Sequence, residues 1–321
     1  MKLPDNTPMA IISALAAILL SLACGCAKIT VILDCDGTHG NSYPQDTSGT
    51  LGNNLVNFHA SVESMDMTKS MSPIPANTRV TIYAFHGSTS DATSTAPMAR
   101  GIYVAQQAGT LSGTNGYKMQ LSNGTFDFYA VSINSTDPAP TFSNGILPSA
   151  KNGIDYLWWG TDNYDVNGAQ VTVPIVLNHS ATQVSFEIDA GDGMVLQEIV
   201  SATISVPKEG ASMNLSNGII EPATEYASQP AKMGINGMRL QYTMLPLKTD
   251  TPMSLELSIK LNYDPTPRSY KVEVPVPDGE LDAGKSYRFK AIINADNITF
   301  PEVGITDWVD VDETGNPLYP H

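Results

Sequence analysis

Apolar and polar residues alternate along most of this chain. In "LVNFHASV", residues 55–62, Val56, Phe58, Ala60 and Val62 fall on one side of an extended backbone, with polar side chains between them. A period of two is that of a strand with one buried face. Similar runs recur: "RVTIYAF", "GIYVAQQ", "YKMQLS", "GTFDFYAVSI", "QVTVPIVL", "TQVSFEID", "EIVSATISVP", "MRLQYTMLPL", "MSLELSIKLNY", "SYKVEVPVP", "KSYRFKAIIN" and "GITDWVDV". Between them lie "SNG", "DAGDG", "PDG" and "DETGN", where Gly and Asn accept positive φ. Helical periodicity is nearly absent after the first residues. The pattern predicts an all-β chain of β-sandwich type.

The same pass suggests an organisation. Residues 27–53 are mostly polar and rich in Gly, Ser, Thr and Asn, as a flexible stalk would be. Long exposed loops are expected at 86–101 and 216–234. One strand run ends and another starts almost at once near 176–183, so a domain junction is placed there. The expected division is 1–25 leader, 26–53 stalk, 54–178 first sandwich and 179–321 second sandwich. No internal repeat is claimed.

The apolar run Met9–Ala23 follows a segment whose only basic side chain is Lys2. Spanning a bilayer takes ~20 apolar residues, so this run fits the core of an export signal better than a membrane helix. Small residues precede Cys24 and Cys26, and both triplets fit a bacterial lipobox. Cys26 is the expected acylation site and Cys24 the alternative. Each buried methylene of an acyl chain is worth ~0.8 kcal/mol, so more than one chain gives durable anchorage in the outer membrane. A zinc reading fails on spacing: one residue separates the two cysteines, and Cys35 with His39 supplies two donors only.

Composition narrows the partners. A net charge of −15 with 17 Lys and Arg among 321 residues excludes nucleic acid, which needs clustered cations, and suits a displayed protein that stays apart from its neighbours. No nucleophile elbow, phosphate loop or dinucleotide fingerprint occurs, and no cofactor or metal is implied. The five histidines are scattered, and His59 and His179, in or beside apolar strands, read as hydrogen-bonded structural residues. "NYDVNG" offers Asn163, Asp165 and Asn167, but Pro174 stands where a calcium loop needs its bidentate acid. "DVDETG", with Asp310, Asp312 and Thr314, ends before a partner acid. Both read as solvated turns. Trp158 and Trp159 are adjacent, so a strand sends them to opposite faces. Trp159 is the candidate ligand contact in the alternative reading, a surface glycan-binding lipoprotein. An enzyme is not expected.

Several of these pieces, taken in order, resemble the fimbrillin family, lipoprotein precursors of pilus subunits in Gram-negative anaerobes. "NLVNFHASVESMDMTKS" looks like the family's first strand and following loop, and "IPANTRVTIYAF" like its next strand. "GTFDFYAVSIN", with Tyr129-Ala130, and "IDYLWWGTD", with Asp155, Leu157 and Trp158, are similar to later segments. "VPIVLNHSATQVSFEID" with His179 is the most specific match. "LDAGKSYRFKAIINADNITFPEVGITDWVD" resembles the closing hairpin, with Ala283-Gly284-Lys285 at its turn and Trp308 near its end. The resemblance implies two transthyretin-like sandwiches and assembly by donor-strand exchange with other pilus subunits. A trypsin-like protease removes the first strand, here about Leu55 to Glu63, and a neighbour's segment fills the trough. It implies location at the cell surface or in the fimbrium, and contact with host or bacterial surface ligands. The family usually carries Arg after the threonine at the cut. This chain has Lys69 after Thr68, and its next Arg is Arg79 in a predicted core strand. Lys69 is therefore the expected maturation site, or the protein keeps its lipid as an anchor or serves as a tip. If Gly304–Val311 pairs within its own domain, little apolar sequence is left to donate, which favours those end positions over the stalk.

Overall fold

The computed structural model describes residues 52–63, 71–87, 92–262, 264–294 and 297–308. Cys24, Cys26, Cys35 and Lys69 lie outside them, as do residues 26–51 of the expected stalk and the "DVDETG" segment. The described chain is extended almost throughout, as the alternation predicts. Its first strands are β1 Asn54–Glu63, β2 Met71–Pro73, β3 Arg79–His86, β4 Ala99–Ala105, β5 Leu111–Gly113 and β6 Met119–Leu121. Next come β7 Gly124–Ser132, β8 Ile146–Leu147, β9 Leu157–Val166, β10 Gln170–His179, β11 Thr182–Ala190, β12 Leu196–Ile204 and β13 Met213–Asn214. Then follow β14 Ala231–Lys232, β15 Gly234–Asn236, β16 Arg239–Met244, β17 Leu247–Lys248 and β18 Met253–Leu261. The last are β19 Asp264–Val274, β20 Glu280–Leu281, β21 Lys285–Ile293 and β22 Ile298–Asp307.

One sheet holds the N-terminal strands in the order β2-β1-β10-β9-β7-β3-β4-β5, with β6 beside β1. It curls around Val56, Phe58, Ile82, Phe126, Phe128, Leu157 and Ile175, all buried. In the C-terminal half a five-stranded sheet, β15-β16-β11-β21-β22, and a four-stranded one, β14-β12-β18-β19, share a second core that includes Phe186, Leu240, Leu255, Leu257 and Phe289. The fold is an all-β sandwich architecture.

A third core joins these layers. Val80, Ile82 and Ala84 of β3 face the first core, whereas Tyr83 and Phe85 face a cluster with Tyr129, Met213, Leu215, Leu245 and Trp308. Strands β3 and β7 are thus buried on both faces, which is why "GTFDFYAVSI" reads as a near-continuous apolar run. Strand β8 pairs with β13, so sequence from either side of the expected junction shares one small sheet. At that junction β10 ends at His179 and β11 starts at Thr182. The described residues all fall within one compact unit.

Two parallel pairs echo each other. Strand β1 runs parallel to β10 from Leu55↔Gln170 to Val62↔Leu177, and β11 runs parallel to β21 from Gln183↔Ser286 to Ala190↔Ile293. Val56 and Phe58 of β1 have counterparts in Val184 and Phe186 of β11. This likeness of topology escapes a repeat search because only two side chains carry it.

Four expectations are corrected. The 86–101 loop is shorter, since Ala99–Gly101 belongs to β4 and Thr93 and Ala99 are buried. The 216–234 segment is mostly exposed, as expected, but is more than a loop: it contains β14, buries Ile220 and Met233, and makes the bridges Pro207↔Tyr226 and Ala223↔Leu247. Ala283-Gly284 do form a turn, but it joins β20 to β21; the closing hairpin of β21 and β22 is instead bridged where the Asn294 N–H donates to the Asn297 carbonyl (2.8 Å). Finally, the last strand, Ile298–Asp307, starts earlier than the expected 304–311 while including Gly304–Asp307 of it; residues 309–311 lie outside the described residues.

Candidate functional site

Strand β1 is built by its own alternation. Val56, Phe58, Ala60 and Val62 are all buried in the first core, and Phe58 meets Tyr103 and Phe128 edge-on at centroid distances of 5.1 and 5.9 Å. Burying a Val or Phe side chain contributes roughly 1.5–3 kcal/mol. On one side β1 is parallel-paired to β10 over Leu55–Val62. On the other it meets β6 at Asn54–Val56, Thr110 at His59, and β2 at Ser61–Glu63, all antiparallel. Strand β2 returns antiparallel along the end of β1, and Lys69, between the two in sequence, lies outside the described residues.

One turn presses directly on β1. Gly109 has φ +80, and a Cβ there would lie 2.3 Å from the Ala60 carbonyl oxygen and 2.8 Å from the His59 ring. Only glycine permits that conformation and approach together. His59 itself points outward and is exposed, which corrects the expectation of a structural, hydrogen-bonded histidine: odd-numbered positions of β1 face away from the core.

His179 fulfils that expectation. Its ring is buried, its Nδ1 lies 2.7 Å from Asp155 Oδ1, and Asn134 Nδ2 donates to Asp155 Oδ2 (2.9 Å). Trp308 stacks on the imidazole with centroids 4.1 Å apart and planes 12° apart. The Trp308 backbone N–H donates to the Gly284 carbonyl (2.7 Å), and the Gly284 N–H to that of Ala181 (2.8 Å). This cluster seals the end of β22, the outermost strand of its sheet. Between Ile298 and Trp308, both buried, residues 301–307 are exposed, Val303 by 42% and Ile305 by 45%. β22 pairs with β21 along its length, and Lys285 Nζ bonds Asp307 Oδ1, which raises the lysine pKa. Nothing local in the sequence signals the His179–Trp308 contact, because the two residues are 129 positions apart.

Trp159 and Trp158 do face opposite ways. Trp159, half-buried on β9, packs against the first core. Trp158 packs against the third, its indole N–H donating to the Leu215 carbonyl (2.7 Å), with Gly218 (φ +71) lying against its ring. In the exposed turn after β9, Asn167 donates to Asp165. Elsewhere the Tyr129 hydroxyl donates to Asp162 Oδ1 (2.9 Å); burial, then this bond, pushes its pKa up. Among the described residues no group of three or more His, Cys, Asp or Glu could hold a metal ion, and no helix is long and apolar enough to cross a membrane. What the arrangement offers is backbone pairing over an apolar trough.

Comparison with known proteins agrees with this architecture. Solved structures of candidate cell adhesion proteins superpose with TM-scores of 0.61 (Bacteroides ovatus, 15% identity), 0.59 (Bacteroides uniformis, 16%) and 0.52 (Bacteroides fragilis, 14%). They cover 81, 79 and 79% of this chain and 99, 99 and 97% of their own. At such identities the likeness is one of fold. No curated protein is a significant match. The model of the fimbrillin-like family matches residues 67–308, three-quarters of the sequence, and the chain therefore belongs to the fimbrillin-like family.

Proposed function

We propose that this chain is a non-enzymatic fimbrial subunit that accepts a neighbour's strand in place of β1 and sits at an end of the fibre, as tip or anchor. The observation that carries the reading is the seating of β1. It supplies four alternating core residues, it is laddered on both sides, and it is joined to the body through the 64–70 connection. Lifting it out would bare a hydrophobic trough and two rows of unpaired backbone groups, which an added strand covers again. The end position is supported by β22, which pairs inside its own sheet and finishes in the Trp308 seal. On this reading the chain is exported as a lipoprotein acylated at Cys26, or at Cys24, and displayed at the outer surface.

The test is to nick the purified chain with a lysine-specific protease, confirm by mass that Lys69 is the first bond cut, and follow size and fold. The nicked chain is expected to release residues up to Lys69 slowly, to take up an added β1 peptide, and to stay monomeric without one. Chains that polymerise with each other after nicking would overturn the end position. A body that unfolds at the cut and never rebinds a strand would overturn strand acceptance.

A further inference from the structure

The trough under β1 is not a uniform apolar slot. Phe58 fills a deep site, 2% exposed, between Tyr103 and Phe128. Two positions on, Ala60 is fully buried and stands opposite Ile175, itself 1% exposed. The backbone that carries Ala60 is closely packed: a Cβ added at Gly109 would fall 2.3 Å from the Ala60 carbonyl oxygen, and Ile74 N–H reaches the same oxygen at 3.4 Å. A larger side chain at this place has neither free volume in front of it nor slack behind it. An incoming strand that lacks a ring at the Phe58 site leaves a void instead.

Resting on the strand-acceptance reading above, we infer that this trough reads side-chain size. It admits an extended segment that runs as β1 does, with an aromatic residue at the Phe58 place and a residue no larger than alanine two positions later. The molecule contains its own counter-example. Strand β11 begins with the same Val-x-Phe spacing, at Val184 and Phe186, but its third inward residue is Ile188, which stands opposite the small Ala291. Large and small are exchanged between the two parallel pairs. A strand made like β11 matches the first two sites and collides at the third, so plain apolar alternation does not qualify a partner.

The test uses the full chain with a unique protease site placed between Ser64 and Ser70, cut, and offered labelled peptides. These are residues 54–63, the same peptide with Phe58→Ala or Ala60→Leu, and residues 182–190 from β11. Uptake is read by fluorescence anisotropy, and integrity of the cut chain by circular dichroism. The native peptide is expected to bind, with the other three at least tenfold weaker. Equal uptake of all four, or of the native and β11 peptides alike, overturns size reading and leaves strand acceptance standing. No uptake of any peptide by a cut, folded chain overturns both.

Discussion

Phe58 touches two rings edge-on, and truncating it to alanine removes both contacts and opens a void in the first core. Phe-to-Ala changes at such sites cost about 3–5 kcal/mol, so urea unfolding of the uncut Phe58→Ala chain is expected to show an unfolding free energy lower by that amount, through a lower midpoint at unchanged slope. A shift below 1 kcal/mol would mean that β1 is held mainly by its ladders. At this scale the sequence was legible wherever the period decided the matter, as for Phe58, Ala60 and the opposed Trp158 and Trp159. It was not legible for His179. His59 and His179 both stand in apolar strands, yet one falls on an outward position and the other beneath Trp308. Charge and hydropathy are alike in the two; the period of two already sets His59 outward, but nothing local announces the distant ring that covers His179.

Among the elements, β22 is held unusually. Its middle buries little, and its security comes from Ile298 at one end and Trp308 at the other, with the β21 ladder between. Trp308→Ala is therefore expected to speed hydrogen exchange at the β22 amides from Glu302 to Asp307 by at least tenfold while leaving β1 unchanged. Equal acceleration in both strands would show that Trp308 acts on global stability instead. Alternation located the strands well, and it placed β1 within one residue of its start. It failed at ends and connections. The final strand begins at Ile298, upstream of its expected place, because pairing with β21, a non-local property, decides where the backbone stays extended. The 216–234 segment looks like a loop by composition, but its Ile220 and Met233 reach the cores.

Over the whole molecule, the third core and a polar rim join the two halves of the sequence. Glu209 accepts from Lys151 Nζ (2.8 Å) and from the Asn152 N–H (3.1 Å), while the Asn152 side chain donates to the Pro207 carbonyl (2.7 Å) and accepts from Leu245 N–H (3.0 Å). The Lys151 hydrogen bond, first among the causes, holds the Glu209 carboxyl below its ordinary value of 4.5. A carboxylate with a lowered folded pKa adds stability above its unfolded pKa and loses it as pH falls through the folded one. The melting-temperature difference between the native chain and Glu209→Gln is expected to be small, because the side chain is 40% exposed. It should be present at pH 6 to 7 and vanish on acidification below 4.5. A difference that persists unchanged in acid would assign the effect to packing.

The period of two, the turn residues and the scarcity of cations were determined by the amino-acid sequence alone, because each is a local property of neighbouring side chains or a sum over them. They settled the all-β class and the inward set of β1. Which strand lies beside which was decided only in three dimensions. So were the parallel seating of β1 on β10, the double burial of β3 and β7, the size order under β1 and the closing of β22 by Trp308 on His179. A strand's own sequence states which of its faces is apolar; the partner that covers that face is chosen by the competition of all strands for the same buried volume.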